Sequence, residues 1–203
     1  MADLATHVGD HLFLTLCGLG AALAIGLPAG MAVARLPRLR PVTLAAIGIV
    51  RVIPSIAVLA LMLPLVGIGF LPSFIALTLL AIAPIAINTQ LGLRSVPADI
   101  VEAARGLGMP ERDVYRRVIW PLALPIVFAG IRTAAVEVIA SATLAAFIGG
   151  GGLGEYIVDG LANNDQATLL EGGISVALLA LGAQGLLALI ERRLTIRAQG
   201  LPA

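Results

Sequence analysis

Five apolar stretches, each about twenty residues or longer, follow one another along this 203-residue chain. A helix needs roughly 20 apolar residues to cross the hydrocarbon core of a bilayer. Only 12% of the residues are charged and the mean hydropathy is +1.02, which leaves too little charge to cover a soluble domain. The stretches cover residues of about 11 to 34, 42 to 67, 72 to 93, 122 to 148 and 169 to 190. They predict an all-α polytopic membrane protein with a single domain over residues 1–203, about five transmembrane helices and no strands.

A polar, helix-forming segment interrupts this pattern between the third and fourth stretches. It predicts a short helix over about 97 to 105, ended by Gly106 and Gly108, and a second helix from Pro110 to just before Pro121. Connections between bundle helices usually need only about 2 to 8 residues. This segment is longer and combines small with apolar side chains, so we interpret it as a docking element rather than a simple connector.

The same segment carries a motif. Its residues are Glu102, Ala103, Ala104, Gly108, Val118 and Pro121. The motif resembles the cytoplasmic signature loop of binding-protein-dependent ABC importer permeases, where Glu-Ala-Ala precedes a glycine and an Ile-x-Leu-Pro element. Val118 replaces the usual isoleucine and Trp120 the usual leucine, and both stay apolar. The resemblance implies a type I, MetI-like transmembrane domain whose loop between spans 3 and 4 is a coupling helix that contacts an ATPase. It assigns ATPase coupling to Glu102, Ala103, Ala104, Arg105, Gly106, Leu107, Gly108, Met109 and Pro110.

The glycine run 149–154 is not a nucleotide-binding loop. A phosphate-binding loop continues with Lys and then Ser or Thr, whereas Glu155 and Tyr156 follow here. We interpret the run as a flexible external turn and expect no ATP site, no cofactor and no enzymatic activity in this chain. The resemblance implies an ABC ATPase subunit that binds ATP, an extracytoplasmic solute-binding protein, and a second permease copy or related permease as partners. Membrane lipid surrounds such a chain, and we expect no nucleic-acid partner.

The arginines predict the orientation, because cytoplasmic loops of membrane proteins are enriched in basic residues. All thirteen basic residues other than histidine are arginine. Arg51 and Arg132 lie within spans, and placing the motif segment inside puts every other arginine on the cytoplasmic side. The opposite face receives acids instead. We therefore predict a multi-pass protein of the bacterial plasma membrane with an external N-terminus and a cytoplasmic C-terminus.

Polar residues within the spans are the remaining candidates for a site, since an ionisable group at membrane depth is costly and usually faces protein or water. The candidates for a pathway or an interhelical role are Arg51, Asn88, Arg132 and Glu137. A structural ion pair between helices and a place in the pathway are both open for the charged ones, and interhelical hydrogen bonding is expected of Asn88. His7 and His11 lie one helical turn apart, but without carboxylate or thiol partners we predict no metal site.

A second set of residues narrows the resemblance. The blocks Gly130–Ala134 and Ala142–Gly154, with Pro54 and Ser55, look like the osmoprotectant permeases that import glycine betaine, choline or carnitine. An amino-acid permease, such as one for methionine, is the alternative within transport. A secondary transporter would need broken helices in two matching halves, and an intramembrane enzyme would need a nucleophile with a base or clustered metal ligands. Neither pattern is visible here.

Overall fold

The computed structural model describes residues 3–36 and 52–198, together with 38, 41, 45 and 48, and only the backbone of 196–198. Its helices are α1 Leu4–Arg35, α2 Ser55–Val66, α3 Phe70–Arg94, α4 Ala98–Gly106, α5 Glu111–Asp113, α6 Trp120–Ala145, α7 Gly154–Ala162 and α8 Gln166–Ala198. A π-helical segment, Val114–Ile119, joins α5 to α6, and a 3-10 turn, Ala146–Ile148, follows α6. Within these ranges there is no strand, and the all-α prediction is confirmed.

Among the described residues, four helices are long and apolar enough to cross a membrane: Leu4–Arg35, Phe70–Arg94, Glu111–Ile148 and Gln166–Thr195. The apolar helix α2 occupies the latter part of the predicted second span, whose beginning lies outside the described residues. The helices also extend past the apolar stretches. α1 begins at Leu4 rather than near residue 11, because its first turns carry polar residues that pack against α7 instead of lipid.

Close helix packing forms the core, with α3 between α1 and α6. Two glycines make this approach possible. A Cβ at Gly30 of α1 would lie 2.6 Å from the Ala86 carbonyl oxygen and from Thr89 Cβ, and a Cβ at Gly130 of α6 would overlap Asn88 of α3. Small residues at such contacts let backbones approach, which is how membrane helices gain packing contacts without a hydrophobic driving force.

The glycine run after α6 forms a packed turn. Gly149, Gly151 and Gly152 have φ of +75°, +76° and +81°, a region that residues with a Cβ rarely adopt. The Gly69 amide donates to the Ile148 carbonyl at 2.7 Å, and a Cβ at Gly152 would lie 3.0 Å from His11 Cα. Glycine is therefore required here by backbone geometry and by close contact with α1, and the turn that was predicted to be flexible packs against the bundle.

The helix directions define two faces of the bundle. α1 and α3 run parallel, since Gly18 lies beside Leu77 and Gly30 beside Thr89. They end at Arg35 and Arg94 on the face where α4 and α5 lie, which we call the loop face. The packed glycine turn, α7 and the start of α8 lie at the other end, which we call the opposite face.

Candidate functional site

Helix α4 is formed and ended by local sequence. Pro97 is its N-cap residue and Asp99 lies in its first turn, where a carboxylate interacts favourably with the helix dipole. At the other end, the Gly108 amide donates to the Arg105 carbonyl at 2.9 Å and the Met109 amide donates to the Ala104 carbonyl at 3.3 Å. This pair of bonds is a Schellman motif, and it needs a left-handed residue at Gly108, whose φ is +81°. The helix predicted over residues 97 to 105 is thus present, and both of its ends lie one residue further along the chain, at Ala98 and Gly106.

An ion pair fixes the turn that follows α4. Arg105 donates to both carboxylate oxygens of Glu111, from Nε at 2.7 Å and from a terminal nitrogen at 3.2 Å. This bidentate geometry links the end of α4 to the start of α5 across the glycine turn. The hydrogen bond with Glu111 also raises the pKa of Arg105. Both side chains are at least half exposed, so the pair determines local geometry more than stability.

The outer surface of this loop combines an apolar tip with small and charged residues. Leu107 at its tip is 84% exposed, whereas Ala104 faces the bundle and is buried. The predicted coupling residues all lie within this one segment. Those exposed there are Glu102, Ala103, Arg105, Gly106, Leu107, Gly108 and Pro110, while Met109 is half-buried. At the tip of the loop, the exposed Leu107 thus lies between two glycines, with no bulky neighbour on either side in the sequence.

The chain after the loop does not break where the sequence predicted. A second short helix was expected to end before Pro121, but α5, the π-helical segment and α6 form one continuous helix from Glu111 to Ile148, which we call the composite helix. Proline clashes with the carbonyl four residues before it and cannot donate to it. The π-helical segment widens the preceding turn, so that the Trp120 amide donates to the Tyr115 carbonyl five residues back. The helix thereby accommodates Pro121 without ending.

Helix α1 contacts the composite helix at this π-helical segment. The Arg35 guanidinium lies 4.7 Å from the centroid of the Tyr115 ring, a cation–π arrangement. Tyr115 in turn lies 6.4 Å from the Trp120 ring. The loop face therefore carries a defined contact between the end of α1 and the base of the composite helix.

The polar residues predicted within spans lie in different surroundings. Arg132 Nε lies 3.1 Å from a Glu191 carboxylate oxygen on α8, so the interhelical ion pair is its observed role. Asn88 donates to the Pro84 carbonyl in its own helix at 2.9 Å, and its expected bond to another helix stays a prediction. Glu137 lines a cavity between helices. Arg51 lies outside the described residues.

The opposite face carries a polar site that the sequence did not reveal. His7 Nε2 lies 3.0 Å from a carboxylate oxygen of Glu155, and its Nδ1 lies 3.2 Å from the Asp3 carbonyl oxygen. Tyr156 packs edge-on against His7, with the ring centroids 4.9 Å apart. Partial desolvation, followed by the charges of Glu171 and Asp3, raises the pKa of Tyr156. Only folding brings these groups together, because His7 and Glu155 are 148 residues apart.

Around this histidine the opposite face forms an acidic cavity of about 730 Å³. Its lining comprises His7, Glu155, Tyr156, Asp159, Asn163, Asp165, Thr168 and Glu171. Hydrogen bonds from the Thr168 hydroxyl and from the amides of Thr168 and Ala167 lower the pKa of Asp165. The acids predicted for one face thus lie together, away from the arginines of the loop face.

Comparisons with known proteins agree over nearly the whole chain. Residues 23–196 match the family described as binding-protein-dependent transport system inner membrane component. The chain is 37% identical to the glycine betaine/carnitine/choline transport system permease protein of Bacillus subtilis, covering 95% of this chain and 89% of that protein. It is 39% identical to an osmoprotectant import permease protein of Salmonella typhimurium, covering 95% and 92%.

Solved structures share the fold. A chain of the inward-facing MetNI methionine ABC transporter aligns with a TM-score of 0.83 at 23% identity, over 96% of this chain and 100% of that one. A chain of an amino acid ABC transporter aligns with a TM-score of 0.67 at 22% identity, over 95% and 99%. At this identity the likeness concerns the architecture alone.

Proposed function

Since the chain belongs to the family of inner membrane components of binding-protein-dependent transport systems, we propose that it is the permease subunit of an ATP-driven importer of small osmoprotectants. Glycine betaine, choline and carnitine are the solutes that we assign to it. The ATPase is a separate partner, as membership of this family implies. The chain itself contributes the membrane path.

The exposed loop is the observation that carries the proposal. It presents Leu107, 84% exposed, on a turn fixed by the Schellman motif and by the Arg105–Glu111 pair. It also continues into the composite helix, which is long enough to cross a membrane. We assign the stretch from Glu102 to Pro110 to the ATPase contact, because a force applied to this stretch is transmitted directly to the composite helix, which crosses the membrane.

The two faces support an assignment of partners. Arg35, Arg94 and Arg105 lie on the loop face, so the positive-inside rule favours a cytoplasmic position for that face. The acidic cavity then faces outward, with the N-terminal end of α1. We assign the solute-binding protein to this opposite face and the ATPase to the loop face. A second permease copy or a related permease completes the path.

The solute class rests on the relatives. Proteins 36–39% identical to this chain over more than nine-tenths of its length carry names with glycine betaine, carnitine, choline or osmoprotectant. Import of an amino acid such as methionine is the second candidate, because a chain of the methionine transporter has the same fold. The relatives named for osmoprotectants have a higher sequence identity to this chain than the methionine transporter chain has, so they favour osmoprotectant import.

Reconstitution separates the two candidates. The permease is placed in proteoliposomes with its ATPase subunit and its solute-binding protein, and ATP-dependent uptake of labelled choline, glycine betaine, carnitine and methionine is measured. We expect uptake of a quaternary amine that requires all three proteins and rises with the concentration of binding protein. Uptake of methionine alone would overturn the solute assignment. Uptake without any ATPase subunit would overturn the importer assignment.

A further inference from the structure

Among the described residues, one ion pair joins two of the helices that are long enough to cross a membrane. Arg132 of the composite helix and Glu191 of α8 approach to 3.1 Å between Nε and a carboxylate oxygen, and their side chains are 30% and 23% exposed. Arg132 lies about 31 Å from the start of the composite helix at Glu111 and about 24 Å from its end at Ile148. Since it is near the middle of a spanning helix, the pair lies within the hydrocarbon core of roughly 30 Å.

Neither partner has a substitute. All twelve Asp and Glu residues of the chain lie in the described ranges, and no other one is within ion-pair distance of Arg132. Glu191 likewise pairs with no other arginine in the described part of the chain. Separating the two groups away from water would leave each charge unpaired, which is strongly destabilising. We therefore expect the pair to stay formed when the helices move.

Helix α8 has few other attachments. It packs mainly against the composite helix and α7, and none of the residues in its most apolar stretch is buried. Its contact with α7 is close, because a Cβ at Gly160 would lie 2.6 Å from the Leu169 amide nitrogen and a Cβ at Gly172 would lie 2.7 Å from Tyr156 Cβ. Helix α8 thus links the composite helix, at membrane depth, to α7 beside the acidic cavity of the opposite face.

The direct connection from the composite helix to α7 is anchored to other helices. It runs through the packed glycine turn, where Gly152 lies against His11 of α1 and the Ile148 carbonyl accepts a hydrogen bond from the Gly69 amide at the start of α3. Movement along this connection is therefore constrained by α1 and α3. Helix α8 has no comparable contact with either of these two helices in the described structure, so it is freer to follow the composite helix.

We propose that the Arg132–Glu191 pair makes α8, and with it α7, follow the composite helix during transport. In the proposed importer the loop contacts the ATPase and the opposite face contacts the solute-binding protein, so the pair transmits the arrival of the binding protein to the ATPase. Arg132 and Glu191 are thus positioning residues, which act through the helices that they join. The inference rests on the proposed function.

The test measures how strongly the solute-loaded binding protein stimulates ATP hydrolysis by the reconstituted importer. Arg132→Gln and Glu191→Gln should each lower this stimulation about fivefold or more, the range typical of coupling between two sites, while basal ATP hydrolysis and ATPase binding stay at the wild-type level. The charge swap, Arg132→Glu with Glu191→Arg, should restore most of the stimulation. Arg117→Gln is the matched control, because it removes an ion pair with Asp113 inside one helix and should leave the stimulation unchanged.

Each other outcome has a distinct meaning. Wild-type stimulation in both single variants would overturn the inference. A loss that the charge swap does not repair would also overturn it, because the effect would then belong to each residue separately rather than to the pair. The same holds for a parallel loss of basal hydrolysis, which would indicate a purely structural role. Absence of any stimulation in the wild-type importer would instead refute the proposed function.

A cross-link provides a second test that does not need the single variants to assemble. In a background without the native Cys17, Arg132→Cys and Glu191→Cys are combined and joined in the assembled importer by a short bifunctional thiol reagent. Because the two helices move together in the proposal, the covalent link should replace the ion pair and raise the stimulation above that of the unlinked double variant. A cross-linked importer with no gain, or with no ATP hydrolysis, would show that the helices must separate and would overturn the inference.

Discussion

Gly108→Ala tests whether the shape of the exposed loop, rather than its bulk, determines ATPase docking. A Cβ added at Gly108 meets no atom within 4 Å, so the substitution introduces no clash. The φ of Gly108 is +81°, however, and an L-residue in the left-handed region costs about 1–2 kcal/mol. A free loop can relax by opening the Schellman bonds to Ala104 and Arg105. A docked loop cannot relax in this way, so the cost falls on binding.

The expected result is an ATPase affinity about 5- to 30-fold weaker, the factor that 1–2 kcal/mol produces. It is measured by titrating the purified ATPase subunit against the permease in detergent. Gly108→Asn should recover most of the loss, because asparagine tolerates the left-handed region. Gly106→Ala is the matched control, since Gly106 has helical geometry and open space around it. Wild-type affinity in Gly108→Ala, or an equal loss in Gly106→Ala, would refute the conformational argument.

Three further predictions follow from the two faces and the ion pair. Gly106→Trp adds bulk without backbone strain and should weaken ATPase binding about tenfold or more, while membrane insertion is unchanged; unaltered binding would exclude this surface from the contact. In a background without the native cysteine, cysteines at the exposed positions Ala98 and Asn163 should react with an impermeant thiol reagent from opposite sides, and labelling of both from outside would contradict the orientation. Arg132→Glu should lower stability by about 1–3 kcal/mol, between the values for exposed and buried pairs. Adding Glu191→Arg should restore thermal stability, and no recovery in the double variant would show that the pair contributes through packing alone.

Local rules predicted the loop well because local bonds determine its shape. The helix over 97 to 105 and its glycine stop follow from residue types that act within one turn, and the structure places them within one residue. The continuation through Pro121 could not be predicted by the same rules. It depends on a π-helical turn beside Arg35, a residue of α1 whose proximity is a tertiary fact.

The sites within and across the bundle were less predictable for the same reason. Arg132 was a candidate on charge alone, but its partner Glu191 is 59 residues later, on a different helix. His7 and Glu155 carry no sequence signal for each other. What the sequence does contain is the absence of arginine from the external loops, and that asymmetry anticipated which acids share the opposite face.

The composite helix has a mechanical consequence. It is 38 residues long, or about 57 Å, and reaches from the exposed loop to the packed glycine turn on the opposite face. A continuous helix moves as a unit when force is applied to one end. The π-helical segment from Val114 to Ile119 interrupts its regular α-helical hydrogen bonding, because each turn there contains one additional residue. If the π-helical segment moves along the helix, each residue that it passes rotates by about 100° around the helix axis. Closure of an ATPase on one side of the membrane can then arrive on the other as rotation as well as translation, through one unbroken helix.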